Sequence, residues 1–194
     1  MKNNLTMLVL GGYGKAGKLF CRYLLTETPV TVIVAGRRLK KATEFVEQLK
    51  KEFSPYRLSA RYADASDAES LRNAFYDIDF LLVAAATTKW AKQIAVVALE
   101  TKTDYLDIYF QQSIYPLLET LRQQIAEAGC CFITQAGFHP GLPAVYIRKG
   151  ADYFDRYNKA IIAFVMNTRF ENSESLYELV DTVADYNPDI YQNS

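Results

Sequence analysis

One stretch limits the fold of this chain more than any other: Met7-Leu8-Val9-Leu10-Gly11-Gly12-Tyr13-Gly14-Lys15-Ala16-Gly17. An apolar strand runs into Gly12-x-Gly14-x-x-Gly17, and Lys18 to Glu27 continues with the apolar spacing of a helix. Each glycine then has a steric reason. Gly12 allows a sharp turn at the strand end, Gly14 opens the backbone to a diphosphate, and Gly17 lets the helix pack against the strand. The helix N-terminus turns its N–H groups and its dipole toward an anion. A second apolar strand, Val30 to Ala35, completes the setting that this motif needs. Outside that setting the same glycines would read as an ordinary turn. In it, Gly12, Tyr13, Gly14, Lys15, Ala16 and Gly17 read as the cradle of a dinucleotide.

The tip of the second strand selects among dinucleotides. A site for NAD carries Asp or Glu there, which hydrogen-bonds the ribose hydroxyls. This chain has Gly36 followed by Arg37 and Arg38. Two guanidinium groups suit a 2′-phosphate, which they bind in bidentate fashion. The competing reading makes both arginines solvated residues at a helix start. Cations are unfavourable at that position, which itself asks for an anion. The cofactor expected is therefore NADP, with NAD second.

Strand and helix patterns alternate along the next hundred or so residues. Helical spacing runs from Leu39 to about Phe53 and breaks at Ser54-Pro55; a third strand spans Arg57 to Ala63. Ser66 or Asp67 caps a helix carrying Leu71 and Phe75. Phe80 to Ala86 is a continuous apolar run, as expected of a strand buried on both faces. A helix around Ile94–Leu99, a strand at Tyr105–Ile108, a long helix from Ser113 to Ala128 and a strand from Cys130 to Ala136 follow. The pattern predicts an α/β fold with a doubly wound parallel sheet of order 3-2-1-4-5-6. Beyond it, a helix from Leu142 to about Tyr153, a strand over Lys159–Phe170 and a helix over Ser173–Asp185 cannot bury themselves. They read as the start of an α+β second domain. The division expected is 1–150 for the cofactor domain and 151–194 for an incomplete substrate or dimerisation domain.

Ligands of such sheets lie beyond the carboxyl ends of the strands. That rule adds Asp64 and Ala65 after the third strand, and Ala85, Ala86 and Thr87 after the fourth, to the cofactor-contacting set. Asp64 competes with a helix-capping role, and the alanines with plain core. Tyr109, after the fifth strand, and His139, the one histidine, after the sixth, are the catalytic candidates. Tyr109 as an aromatic plug and His139 as a structural residue are the rival readings. Neither has a neighbour in sequence that would tune its acidity.

Four segments in order now define a resemblance: Gly11-Gly12-Tyr13-Gly14-x-x-Gly17, Val34-Ala35-Gly36-Arg37, Tyr105-Leu106-Asp107 and Gly137-Phe138-x-Pro140-Gly141. Over residues 5 to 170 the chain resembles the saccharopine dehydrogenase-like oxidoreductases. The resemblance implies an NAD(P)-binding Rossmann domain, then an α+β domain that supplies much of the substrate site and the dimer contacts. Family members are usually much longer, so the chain looks like an amino-terminal portion. The family includes reductases that join an amino acid or polyamine to a carbonyl compound through an imine. Where the family often has Gly-Glu after the Tyr-Leu-Asp strand, this chain has Tyr109-Phe110.

Other classes fit poorly. No tyrosine has lysine four places on, as short-chain dehydrogenases require, and Arg37 stands where a methyltransferase has an acid. The 194 residues carry no net charge, so no basic excess draws nucleic acid or an anionic membrane. No apolar run reaches the roughly 20 residues of a membrane span. Cys21, Cys130 and Cys131 have no metal spacing and read as reduced core residues of a cytoplasmic protein, with no metal site. The function expected is hydride transfer between NADPH and a C=O or C=N group of a small-molecule substrate. The alternative is a non-catalytic NADP-binding redox sensor acting through a protein partner. The apolar segment Ala160–Met166 would leave a sticky edge, which predicts self-association, as a homodimer.

Overall fold

The computed structural model describes residues 5–156, 159–161, 176, 177 and 180. Strand β1 (Thr6–Leu10) lies between β2 (Thr31–Gly36) and β4 (Phe80–Val83), and all three run parallel. Beyond β2 comes β3 (Leu58–Tyr62); beyond β4 come β5 (Asp104–Asp107) and β6 (Phe132–Ile133). The order is β3-β2-β1-β4-β5-β6, as the alternation of elements predicts.

Alternation along β1 explains its unbroken apolar sequence. Leu8 and Leu10 point into one core, with Ile33, Leu81 and Val83 from neighbouring strands. Helices α3 (Ala68–Phe75) and α4 (Ala91–Glu100) cover that face through Leu71, Phe75, Ile94 and Ala98. Val9 points the other way, to Val32, Val34 and Leu82. There α1 (Lys15–Glu27) supplies Cys21 and Leu25, and α2 (Leu39–Leu49) supplies Ala42, Phe45, Val46 and Leu49. With both faces covered, a strand gains nothing from polar alternation.

Polar groups fix the joints. Arg57 donates to the carbonyls of Leu25, Thr28 and Val30, so one guanidinium ties the C-terminus of α1 to the start of β2. It also meets the negative end of the α1 dipole. Asp67, rather than Ser66, caps α3, its Oδ1 accepting the N–H groups of Glu69 and Ser70 at 2.9 and 3.2 Å.

Several expected boundaries move. Helix α1 starts at Lys15, inside the glycine motif, and α2 stops at Leu49. Arg57 belongs to a 3-10 turn, and β4 ends at Val83 instead of Ala86. The long helix from Ser113 is two: α5 (Ile114–Glu119) and α6 (Arg122–Ala128). Thr120 explains the break. Its hydroxyl donates to the Leu117 carbonyl at 2.6 Å, the group that the Leu121 N–H would take in a continuous helix. The Leu121 N–H turns to Leu118 instead, at 2.9 Å. Strand β6 keeps only two residues, because Gln135 has a positive φ of 57° and bends the chain away from the ladder. Helix α7 (Leu142–Gly150) passes into a 3-10 turn at Ala151–Tyr153.

Of the cysteines only Cys21 is core; Cys130 is half-buried and Cys131 exposed, since the edge strand begins beyond them. Burial pushes the Cys21 thiol up to about 12. Among the described residues no helix is long and apolar enough to cross a membrane, and no cluster suits a metal ion. The strand expected over 159–170, the helix over 173–185 and the self-association segment 160–166 fall largely outside the described residues.

Candidate cofactor site

The candidate crevice lies at the carboxyl edge of the sheet, where β1 and β4 stay in contact, the Ala84 N–H donating to Leu10 O at 2.9 Å. The turn after β1 has its left-handed residue at Gly11 (φ 81°), one place before the motif's first glycine. A Cβ on Gly11 would also meet Ala85 Cβ at 2.7 Å and Ala84 O at 2.9 Å. Ala84 and Ala85, after β4, therefore abut the glycine loop directly, and Ala86 follows them in the chain.

Gly12 serves close packing: a Cβ there would stand 2.9 Å from Val9 O and 3.1 Å from Val34. At Gly17 a Cβ would overlap the Gly11 carbonyl oxygen and lie 2.6 Å from Gly12 Cα, so the helix rests on the turn backbone to backbone. Gly14 is different. A Cβ there meets only Gly11 O, at 3.1 Å, and open space elsewhere. That opening is what a diphosphate needs to reach the chain.

Helix α1 starts at this opening with no side-chain cap and no acidic residue in its first turn. Its first intrahelical bond runs from the Lys18 N–H to Gly14 O at 2.9 Å, so the amides of Ala16 and Gly17 point out along the axis. Together with the dipole they form an anion site. Exposed Arg37 and Arg38 stand at the tip of β2, and the Arg38 N–H donates to Tyr13 Oη at 3.0 Å. The residues present thus fit a dinucleotide with an added phosphate.

Across β3, Asp64 does not cap α3. Its Oδ1 accepts from the N–H and the hydroxyl of Ser66 at 2.9 and 2.7 Å. Those bonds, and then the nearby Arg37 charge, hold its carboxyl below the usual range. Ala65 is buried, and its carbonyl accepts from Gln93 Nε2 at 2.7 Å, which ties this loop to α4.

The catalytic candidates follow β5 and β6 in the chain. Tyr109 is only 4% exposed, and its hydroxyl lies 2.8 Å from Thr87 Oγ1, which ties the segment after β5 to the one after β4. Behind it, fully buried Asp107 accepts from the hydroxyls of Tyr105 and Thr134, each at 2.8 Å. It also accepts the N–H groups of Tyr109 and Gln135, at 3.1 and 2.9 Å. Burial, with Tyr109 and Asp107 beside it, raises the Tyr105 phenol well above its ordinary value. His139 is half-buried and meets the Phe110 ring edge-on, with centroids 5.8 Å apart. Sequence reasoning missed the hub: Asp107 served only as a mark of resemblance. A carboxylate on the buried face of a strand, two places from buried Tyr105, is the signal that would have found it.

A doubly wound sheet with an uncapped helix over a glycine turn defines a dinucleotide-binding protein. More narrowly, residues 7–133 match the family model of the saccharopine dehydrogenase NADP binding domain, and the chain belongs to that family. Its cofactor is NADP. Among solved structures, the chain is similar to apo saccharopine dehydrogenase (L-Glu forming) from Saccharomyces cerevisiae. That match has 23% identity and a TM-score of 0.64, over 77% of this chain and 31% of the yeast one. It is also similar to a Citrobacter sp. triphenylmethane reductase complexed with NADP(H). There the identity is 17% and the TM-score 0.50, over 66% of this chain and 48% of the other. The chain thus spans about a third of the yeast enzyme and about half of the reductase. No curated protein sequence matches it.

Proposed function

We propose that this chain is the cofactor domain of an NADP-dependent oxidoreductase that exchanges hydride with a C=O or C=N group of a small molecule. The observation that carries this reading is the opening at Gly14, set between an uncapped helix and a pair of arginines. The α1 amides would hold the diphosphate, and Arg37 and Arg38 the 2′-phosphate. When bound, the coenzyme supplies the hydride.

The protein's part is to orient and to handle a proton. Thr87 holds the Tyr109 hydroxyl at the wall of the crevice, where Tyr109 Oη is the first candidate to give a proton to substrate. His139, in the loop after β6, is the second. Residues 1–150 form the cofactor domain in this reading, and 151–194 open a substrate and dimerisation domain. Free thiols at Cys21, Cys130 and Cys131 suit a cytoplasmic protein, and the dimerisation domain would make it a homodimer.

One observation favours the redox-sensor alternative: Tyr109 is nearly buried and its hydroxyl already has Thr87 as neighbour. Assays on the full-length protein decide between them. NADPH oxidation with a panel of keto acids and amines supports the enzyme; binding without turnover of any member supports the sensor. Arg37→Ala with Arg38→Ala should lower NADPH affinity by about 100-fold or more and spare NADH, from charge-assisted bonds of roughly 1.5–3 kcal/mol each. Equal losses for both coenzymes would remove the arginines from the 2′-phosphate site.

A further inference from the structure

We propose that Tyr13 sets coenzyme preference at one remove, by clamping the turn from which Arg37 and Arg38 emerge. Tyr13 sits inside the glycine loop, yet its side chain reaches across to the tip of β2. There its Oη accepts the Arg38 N–H at 3.0 Å. The ring fills the space that a side chain on Gly36 would need. A Cβ at Gly36 would lie 2.7 Å from Tyr13 Oη, 2.8 Å from Cε1 and 3.0 Å from Cζ. The same ring packs on the core beneath α1 and α2.

The residue so held is the one preceding α2. Arg38 has a non-helical φ of −107° and ψ of 80°, and no side chain caps the helix it begins. A turn of this kind has few internal bonds to fix it. The Tyr13 hydroxyl supplies one from outside the turn, and the missing Gly36 side chain makes room for it. One phenol thereby ties the loop that receives the diphosphate to the tip that receives the 2′-phosphate. The clamp acts by preorganisation: two guanidinium groups on a fixed backbone lose less freedom when they close on a phosphate. NADH has no phosphate at that place and gains nothing from it.

The proposal rests on the assignment of Arg37 and Arg38 to the 2′-phosphate, and the experiment separates the two ideas. Nicotinamide fluorescence is followed as NADPH or NADH is added to the full-length protein and its variants. Tyr13→Phe keeps the ring and removes only the hydroxyl; it should lower NADPH affinity about five- to tenfold, the worth of one net hydrogen bond, and NADH affinity by less than about twofold. Gly36→Ala, which displaces the ring, should show the same selective loss. In the Arg37→Ala, Arg38→Ala background, Tyr13→Phe should add nothing. Equal losses for both coenzymes, an additive loss in that background, or no loss at all would each overturn the clamp. If the arginine pair alone leaves the ratio of affinities unchanged, the assignment beneath the clamp falls with it.

Discussion

Around β1 and β2 the crevice is assembled backbone against backbone, whereas at the end of β5 a buried carboxylate gathers side chains and amides around itself. At the first place, the contacts of Gly11, Gly12 and Gly17 leave no room for a Cβ. At the second, Asp107 accepts from Tyr105, Thr134, Tyr109 and Gln135. The first construction is rigid through exclusion and the second through satisfied hydrogen bonds. They should therefore fail differently.

The sharpest test is Asp107→Ala. Four donors lose their acceptor in a buried place, and the fold should lose about 3 kcal/mol or more in urea denaturation. NADPH affinity, measured where the variant is still folded, should stay within about twofold of the parent protein. A large loss of binding would mean that the two walls are not separate constructions. Gly17→Ala comes next. Its methyl overlaps the Gly11 carbonyl, so α1 must move off the turn, at about 2 kcal/mol of stability. Here binding should collapse with stability, because the displaced helix carries the anion-binding amides. Asp67→Ala removes the α3 cap and should cost about 1 kcal/mol with no change in binding.

The smallest effect lies at Asp64. Its folded-state pKa is depressed, so it stabilises the fold above its unfolded value of about 3.9. That contribution fades as pH falls through the lower, folded value. In acid denaturation, Asp64→Asn should narrow its deficit against the parent protein as pH drops below the carboxylate range. A deficit independent of pH would show that the Ser66 bonds do not depend on the charge.

The two constructions also differ in how well the sequence reveals them. Contacts without side chains demand glycine, and glycines at fixed spacing are visible: Gly17 seats the helix on the turn as its position predicts, and the strand order follows from the alternating elements. Even there the turn falls on Gly11, because either of two adjacent glycines meets the pattern. Asp107 was harder to read, since two of its four partners, Thr134 and Gln135, lie 27 and 28 residues further on and no local spacing announces them. The split of the helix at Thr120 was hidden for a related reason. A threonine hydroxyl inside a helical pattern reads as a surface residue until its bond to the Leu117 carbonyl is seen.

The seating of α1 on the Gly11–Gly12 turn has a wider consequence. Main-chain atoms have no rotamers, so the distance from the helix to the strand end is set without help from any packed side chain. Apolar residues elsewhere in the two cores can be exchanged, and repack with shifts of their own, while the amides of Ala16 and Gly17 keep their aim. A seat gauged this way is insulated from drift in the rest of the molecule.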